Sequence, residues 1–272
     1  MNQQIEIVCI GNELLTGKTA NTNSEWLVKQ VTSVGMQVNR ITVIADDIDE
    51  IAQTVGQSFH RKPRLIITTG GLGPTFDDKT LQGISKALNL KLTVHKEALR
   101  MIKDQYKRKT RTPKPQFPEL TPPRIKMATI PQGSKPLMNP VGTAPGIKIT
   151  HNQTSLIALP GVPEEMKAIF LNSVTPLLKK IADGTIIYDK SIYVNNIMES
   201  NLAPLIDQAM HDNPNVYIKS HPSVLKKEIE INFSTTTKSS KTAETRIKET
   251  IAQLSKLIKE RDGEIRSSKN DQ

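Results

Sequence analysis

Gly70-Gly71-Leu72-Gly73-Pro74-Thr75-Phe76-Asp77-Asp78 follows the apolar, β-branched run Leu65-Ile66-Ile67-Thr68-Thr69 and precedes a helical pattern at Leu81, Ile84, Ala87 and Leu88. A strand, a glycine turn and a helix start make a ready anion site, because glycines let backbone N–H groups approach a phosphate without a Cβ in the way. Asp77 and Asp78 would repel a bare phosphate. They make sense if a divalent cation bridges carboxylate and phosphate. Helix capping alone would need only one acid and fewer glycines. The stretch lacks the Gly-Lys-Ser/Thr of the nucleotide P-loop and does not follow the dinucleotide pattern G-x-G-x-x-G.

The flanking sequence alternates strands and helices. Ile5–Ile10 reads as a strand, Ser24–Val34 as a helix ended by Gly35, and Val38–Ile44 as a second strand. Asp49–Phe59 reads as a helix capped by Asp47 or Asp49, with Leu65–Thr69 as the third strand. Strands separated by such helices predict right-handed βαβ crossovers and a mainly parallel sheet. Glu97–Lys109 reads as a basic amphipathic helix. Pro113, Pro115, Pro118, Pro122 and Pro123 then predict a break, read either as a solvated connector or as a cationic lid with Lys107, Arg108, Lys109, Arg111 and Lys114. Short strands follow near Ala128–Ile130, Gly146–Thr150 and Ser155–Leu159, the last two joined at Asn152-Gln153, and then a helix over Glu164–Leu171. From about Ile186 the pattern becomes β-α-β-β-α, with Ile229, Ile231 and Phe233 alternating as in a sheet with one wet face. The expected division is 1–178, then a small α+β domain over 185–266, then a frayed tail over 267–272.

The 272 residues are enough to bury a sizeable core, and aromatics at 4% argue against a surface of stacking platforms. The single cysteine, Cys9, excludes an intramolecular disulfide and fits a reducing compartment. No run approaches the ~18 apolar residues of a membrane span, and the amino terminus lacks the pattern of a signal peptide, so a cytoplasmic protein is expected. The formal charge of +10 suits an anionic partner, or simply a lysine-rich solvated surface.

Three further patches fall at strand ends, where sites in parallel sheets gather. Gly11-Asn12-Glu13 leaves the first strand and runs on to Asn21-Thr22-Asn23; Gly11 permits close approach, and Asn12, Glu13 and Asn23 could reach a ligand's polar edge. Asp46-Asp47 follows the second strand, with Asp46 able to join Asp77 and Asp78 at a metal. Asn139-Pro140-Val141-Gly142-Thr143-Ala144-Pro145-Gly146 and Leu159-Pro160-Gly161-Val162-Pro163-Glu164-Glu165-Met166 each place Pro and Gly beside a strand. Each patch also has a bland reading as turn or cap. The five histidines show no metal spacing.

Together GNELLTGK, TNS, GGLGPTFDD, NPVGTAPG and LPGVPEEM resemble the CinA family (competence/damage-inducible protein A), within the molybdopterin-binding superfamily, over roughly Ile5–Leu178. The resemblance implies a three-layer α/β/α domain followed by a small KH-like domain. It also implies divalent-metal-dependent ADP-ribose pyrophosphatase activity, or the binding and adenylylation of molybdopterin seen in relatives. The nicotinamide mononucleotide deamidase domain of many bacterial members is not read here, so that activity is not expected. Where the family carries Asn-x-Lys-Gln-Ala, this chain has Arg124-Ile125-Lys126-Met127-Ala128. In the second domain the glycine preceding Glu199-Ser200 is Met198, and there is no Gly-x-x-Gly loop to clamp RNA.

The leading expectation is therefore a metal-dependent hydrolase of nucleotide diphosphates such as ADP-ribose. Asp77, Asp78, Lys126, Glu164 and Glu165 would serve the chemistry, and Asp46, Asp77 and Asp78 would hold Mg2+ or a similar ion. Gly11, Asn12, Glu13, Asn23, Gly70, Gly71, Leu72, Gly73, Thr75, Asn139, Gly142, Thr143, Pro160 and Gly161 would bind substrate. The alternatives are a molybdopterin-binding or molybdenum-cofactor protein, and a nucleic-acid-binding or scaffold protein, the latter disfavoured by the few aromatics. A phosphorylated small molecule is the expected partner, with no membrane and with a homo-oligomer, a dimer first, as the assembly.

Overall fold

The computed structural model describes residues 4–109, 120–223 and 228–267. Most of the candidate lid, including Arg111, Pro113, Lys114, Pro115 and Pro118, lies outside the described residues, as does the tail beyond Ser267. The chain divides into two compact units, one of residues up to 181 without 33–35, the other of 33–35 with residues from 182 onward.

In chain order the first unit contains β1 (Gln4–Ile10), α1 (Asn12–Leu15), α2 (Thr22–Ser33), β2 (Gln37–Ile44), α3 (Ile48–His60), β3 (Leu65–Thr69) and α4 (Thr80–Ala87). It continues with β4 (Leu92–Val94), α5 (Lys96–Lys109), α6 (Pro122–Ala128), β5 (Thr129–Pro131), β6 (Lys135–Leu137), β7 (Gly146–His151), β8 (Thr154–Leu159), α7 (Pro163–Ile169) and α8 (Thr175–Ala182). A π-helical turn over Phe170–Val174 joins α7 to α8.

The six-stranded sheet runs β2-β1-β3-β8-β7-β6. Its β2-β1-β3-β8 part is parallel, and β7 and β6 are antiparallel additions. This is the mainly parallel α/β sheet expected. The central strands are buried on both faces: Ile7 and Cys9 are as inaccessible as Val8, and Leu65, Ile66 and Ile67 are fully covered. Continuous apolar runs are what strands between two helix layers require. One face packs against Ile51 and Val55 of α3, Ile84 of α4, and Ala98 and Ile102 of α5. Asp47 caps α3 by accepting from the N–H groups of Asp49 and Glu50 at 2.9 and 3.0 Å, as a cap residue with a free carboxylate should.

Two local expectations are corrected. Pro122 and Pro123 do not prolong a break; they open α6, where a proline in the first turn loses no hydrogen bond. Lys219-Ser220-His221-Pro222, whose composition reads as a basic turn able to touch an anion, is part of a strand over Val216–Ser223.

The second unit is β9 (Ile186–Asn195), α9 (Glu199–Asp212), β10 (Val216–Ser223), β11 (Glu228–Thr237), α10 (Ser240–Lys259) and β12 (Glu264–Ser267). Its sheet order is β10-β11-β9-β12, antiparallel throughout. Ile229, Ile231 and Phe233 are buried against Leu202, Ile247 and Leu254 of the two helices. A small α+β domain with an antiparallel sheet is therefore present. The β-α-β-β-α-β order with β12 beside β9 is the split βαβ arrangement, and it lends no support to the KH-like expectation. Ser267 belongs to β12 rather than to a tail.

Candidate functional site

The site lies in the first unit, outside the carboxyl ends of β1, β2, β3 and β8. The glycine turn leaves β3 with Gly70 at φ 108° and Gly71 at φ 63°. It is fixed at both ends. Gly70 donates its N–H to the Leu159 carbonyl at 3.0 Å, and Thr80 returns its hydroxyl to the Gly70 carbonyl at 2.8 Å and its N–H to the Gly71 carbonyl at 3.2 Å. Thr80 is fully buried, so the start of α4 is pinned to the turn it follows. Leu72 anchors the turn in the core.

A cleft of about 340 Å³ opens above this turn. Of the residues expected at the site, Gly11, Glu13, Asp46, Gly70, Gly71, Leu72, Gly73, Asp77, Asp78, Thr143, Pro160, Gly161 and Glu165 line it. The loops of four strand ends therefore converge on one space.

Other candidates support the cleft from behind. Asn12 and Asp46 bind each other: the Asn12 N–H donates to Asp46 Oδ2 at 2.8 Å, and the Asp46 N–H reaches Asn12 Oδ1 at 3.4 Å. Asn23 donates Nδ2 to the Gly161 carbonyl at 2.7 Å and to Thr69 Oγ1 at 3.2 Å, tying the first patch to the last. The Thr75 hydroxyl lies between Asp77 and Asp78, which share its one proton, and the Thr75 N–H donates to Asp78 Oδ2 at 2.8 Å. The Asp78 carboxylate is thus a brace within the turn. Lys126 is among the residues around a smaller neighbouring pocket, and its amine donates to the Thr75 carbonyl. Its contact is with the turn itself. Glu164 is exposed, while Glu165 is half-buried.

Ile10, Pro74, Met127, Ala144 and Val162 also line the cleft, though none was among the residues expected to bind substrate or serve the chemistry. Met127 carried a signal, since it stands where the CinA pattern has an amide.

The acids crowd one another. Burial raises the Asp46 carboxyl above its ordinary range, and the charges of Glu13, Asp77 and Asp78 push the same way against the Asn12 amide. Thr75 holds Asp77 below the ordinary range by hydrogen bonding to its ionised form. Among the described residues no three acidic, histidine or cysteine side chains are placed to hold a metal together. Asp46, Asp77 and Asp78 are nevertheless hard oxygen donors facing one cleft, which suits a divalent cation in kind. A raised folded-state value means that ionised Asp46 costs stability, a cost that sets in as the pH rises through the ordinary aspartate range. Asp46→Asn is therefore expected to raise the Tm at pH 7, with the gain vanishing as the pH falls through that range; melting curves across pH check this.

A glycine turn and acids gathered at the carboxyl end of a parallel sheet define a ligand-binding α/β domain. The family described as "probable molybdopterin binding domain" matches residues 6–180. A protein of Caldivirga maquilingensis is 44% identical over 252 residues, covering 91% of this chain and 94% of its own length. One of Saccharolobus solfataricus is 39% identical over 266 residues, covering 97% and 94%. The crystal structure of the CinA protein of Thermoplasma acidophilum, a protein of unknown function, aligns with a TM-score of 0.59 at 38% identity, covering 65% of this chain and 98% of that one. The chain belongs to the molybdopterin-binding domain family and is CinA-like. No helix among the described residues is long and apolar enough to cross a membrane.

Proposed function

We propose that the first unit binds a phosphorylated pterin of the molybdopterin type, with its phosphate on the glycine turn. The observation that carries this reading is the turn itself, glycine at three of four positions and pinned at Gly70, Gly71 and Thr75, opening into a cleft large enough for a bicyclic ring. The Gly70 N–H is committed to Leu159, so the donors offered to the phosphate are the amides of Gly71, Leu72 and Gly73. Family membership favours a pterin over ADP-ribose as the ligand. The acids are the cost of this arrangement, because a phosphate beside Asp46, Asp77 and Asp78 needs countercharge. A divalent cation held by Asp46 and Asp77 would supply it, screening the phosphate from the carboxylates. Asp78, braced on Thr75 and Gly73, would shape the turn, and Lys126 would hold it through the Thr75 carbonyl.

The crowded acids also support a second reading, in which the same cation assists hydrolysis of a nucleotide diphosphate such as ADP-ribose. A thermal-shift series separates the two, because at equal concentration a tighter ligand stabilises the native state more, as the logarithm of concentration over Kd. Neopterin phosphate with Mg2+ is expected to raise the Tm more than unphosphorylated neopterin, orthophosphate or ADP-ribose. Greater stabilisation by ADP-ribose, accompanied by AMP release, would establish the second reading instead.

A further inference from the structure

We propose that Glu165 reads the hydrogen-bonding edge of the bound ring and selects a 2-amino-4-oxo pyrimidine, as in a pterin, over an adenine; this rests on the pterin reading above. Glu165 is the cleft acid farthest in sequence from the glycine turn, and its surroundings are built to hold a carboxylate still. Asn139, only 3% exposed, donates Nδ2 to Glu165 Oε2 at 2.7 Å and to the Ala144 carbonyl at 2.8 Å. Its Oδ1 accepts from the N–H groups of Val141 and Gly142 at 3.1 and 2.7 Å, and its main-chain carbonyl accepts from Gln105. Both amide hydrogens of Asn139 are therefore spent, and so is its side-chain oxygen. The asparagine cannot turn without breaking the loop it organises. Gly142 sits so close beneath the carboxylate that a Cβ there would stand 1.8 Å from Glu165 Cδ. The loop thus leaves room for this one group and fixes one of its oxygens, with Oε1 and the second lone pair of Oε2 still able to accept.

A fixed carboxylate is an acceptor pair with no donor. The pterin edge presents the complement, a ring N3–H beside a 2-amino group, spaced for two parallel charge-assisted bonds. Adenine presents its 6-amino group beside N1, an unprotonated acceptor whose lone pair would oppose one carboxylate oxygen. Buried polar edges left unpaired are where a site gains its discrimination. Glu165 is accordingly a specificity residue that touches the ring. In sequence it looked interchangeable with its neighbour, but Glu164 is exposed and lacks this frame.

The test uses a ligand pair that keeps the ring N3–H but replaces the 2-amino donor by a 2-oxo acceptor, with N1 protonated in turn: neopterin phosphate and the same phosphate of the lumazine analogue, each titrated by its own fluorescence with the full chain. The wild-type protein is expected to prefer the pterin by about tenfold or more, the scale of one charge-assisted hydrogen bond. Glu165→Gln keeps an oxygen for Asn139 but offers the ligand an NH2, so the preference should collapse or invert toward the lumazine. A residue that merely ordered the loop would weaken both ligands equally. If both bind the wild-type protein alike, or the ratio survives in Glu165→Gln, the role of Glu165 is overturned while pterin binding stands. If neither binds the wild-type protein, the pterin reading itself fails and this inference with it. Should the variant fail to fold, Gly142→Ala carries the test in its place, because its Cβ would displace the Glu165 carboxylate: the ratio should collapse there too, and a ratio that survives overturns the role of Glu165.

Discussion

Gly70→Ala is expected to destabilise the first unit by about 3–5 kcal/mol, near the upper end for a single substitution, and to abolish ligand binding. Two costs add. Gly70 has φ 108°, a conformation that an L side chain adopts only under strain of about 1–3 kcal/mol. A Cβ there would also stand 2.0 Å from the Ile10 carbonyl oxygen. That atom is backbone, at the end of β1, and it cannot swing aside. β1 pairs with both β2 and β3, so moving it disturbs the centre of the sheet and the Gly11 loop together. The loss is a large part of the ~5–15 kcal/mol that holds a domain folded. Urea unfolding followed by tryptophan fluorescence measures it, because Trp26 belongs to the same unit and packs edge-on against Phe170 at 5.3 Å. A midpoint within a few tenths of a molar of wild type would show that the strain is absent. Gly161→Ala is the useful contrast: its Cβ would meet Gly70 Cα at 3.4 Å, an ordinary contact, so the change should be mild.

The sheet and its order of elements were legible because the chain's apolar periods switch plainly between strand and helix. Ile5–Ile10 and Leu65–Thr69 are nearly unbroken apolar runs that only a strand covered on both sides needs. The split βαβ unit was legible except for its last strand. Glu264-Ile265-Arg266-Ser267 alternates charge with a single apolar residue, and its place beside β9 comes from pairing that no local pattern announces. β4 and β6 have three residues each and carry no pattern of their own; β4 pairs with β5, which was expected near 128–130, and β6 with β7, so tertiary contact rather than propensity makes them strands.

The candidate site divides along a similar line. The composition of the glycine turn could be read directly, since few sequences need so many glycines at a strand end. What each polar residue does with its side chain could not. Asn12, Asn23 and Asn139 all looked like ligand contacts, yet each spends its amide on another loop of the site. Sequence gives residue type and strand end; it does not say whether a side chain faces the cleft or the loop opposite. Lys126 illustrates the ambiguity. A cation near a phosphate turn suggested charge stabilisation, whereas its amine meets the Thr75 carbonyl. Asp77 and Asp78, adjacent in sequence, share the Thr75 hydroxyl, but Asp78 also takes the Thr75 N–H and lies against Gly73, where a Cβ would stand 2.6 Å from its Oδ2.

Gly142→Ala is expected to separate binding from folding, the reverse of Gly70→Ala. Its new Cβ would fall 1.8 Å from Glu165 Cδ and about as close to both carboxylate oxygens. These atoms end a flexible side chain, so Glu165 would swing out while the backbone stays in place. The stability lost is chiefly the Asn139–Glu165 hydrogen bond, about 1–2 kcal/mol, or a Tm lowered by about 2–8 °C for a unit of this size. Pterin phosphate affinity should fall about tenfold or more, because the ring loses the carboxylate opposite its amino edge. The glycine turn is untouched, so the weak protection given by orthophosphate alone should persist. The combination is diagnostic. Loss of both kinds of protection would mean that the loop over 139–146 supports the whole cleft. Unchanged pterin affinity, in a protein whose Tm has dropped as expected, would mean that Glu165 faces only the loop and that the ring is recognised elsewhere in the cleft, with Met127 and Val162 as the next residues to vary.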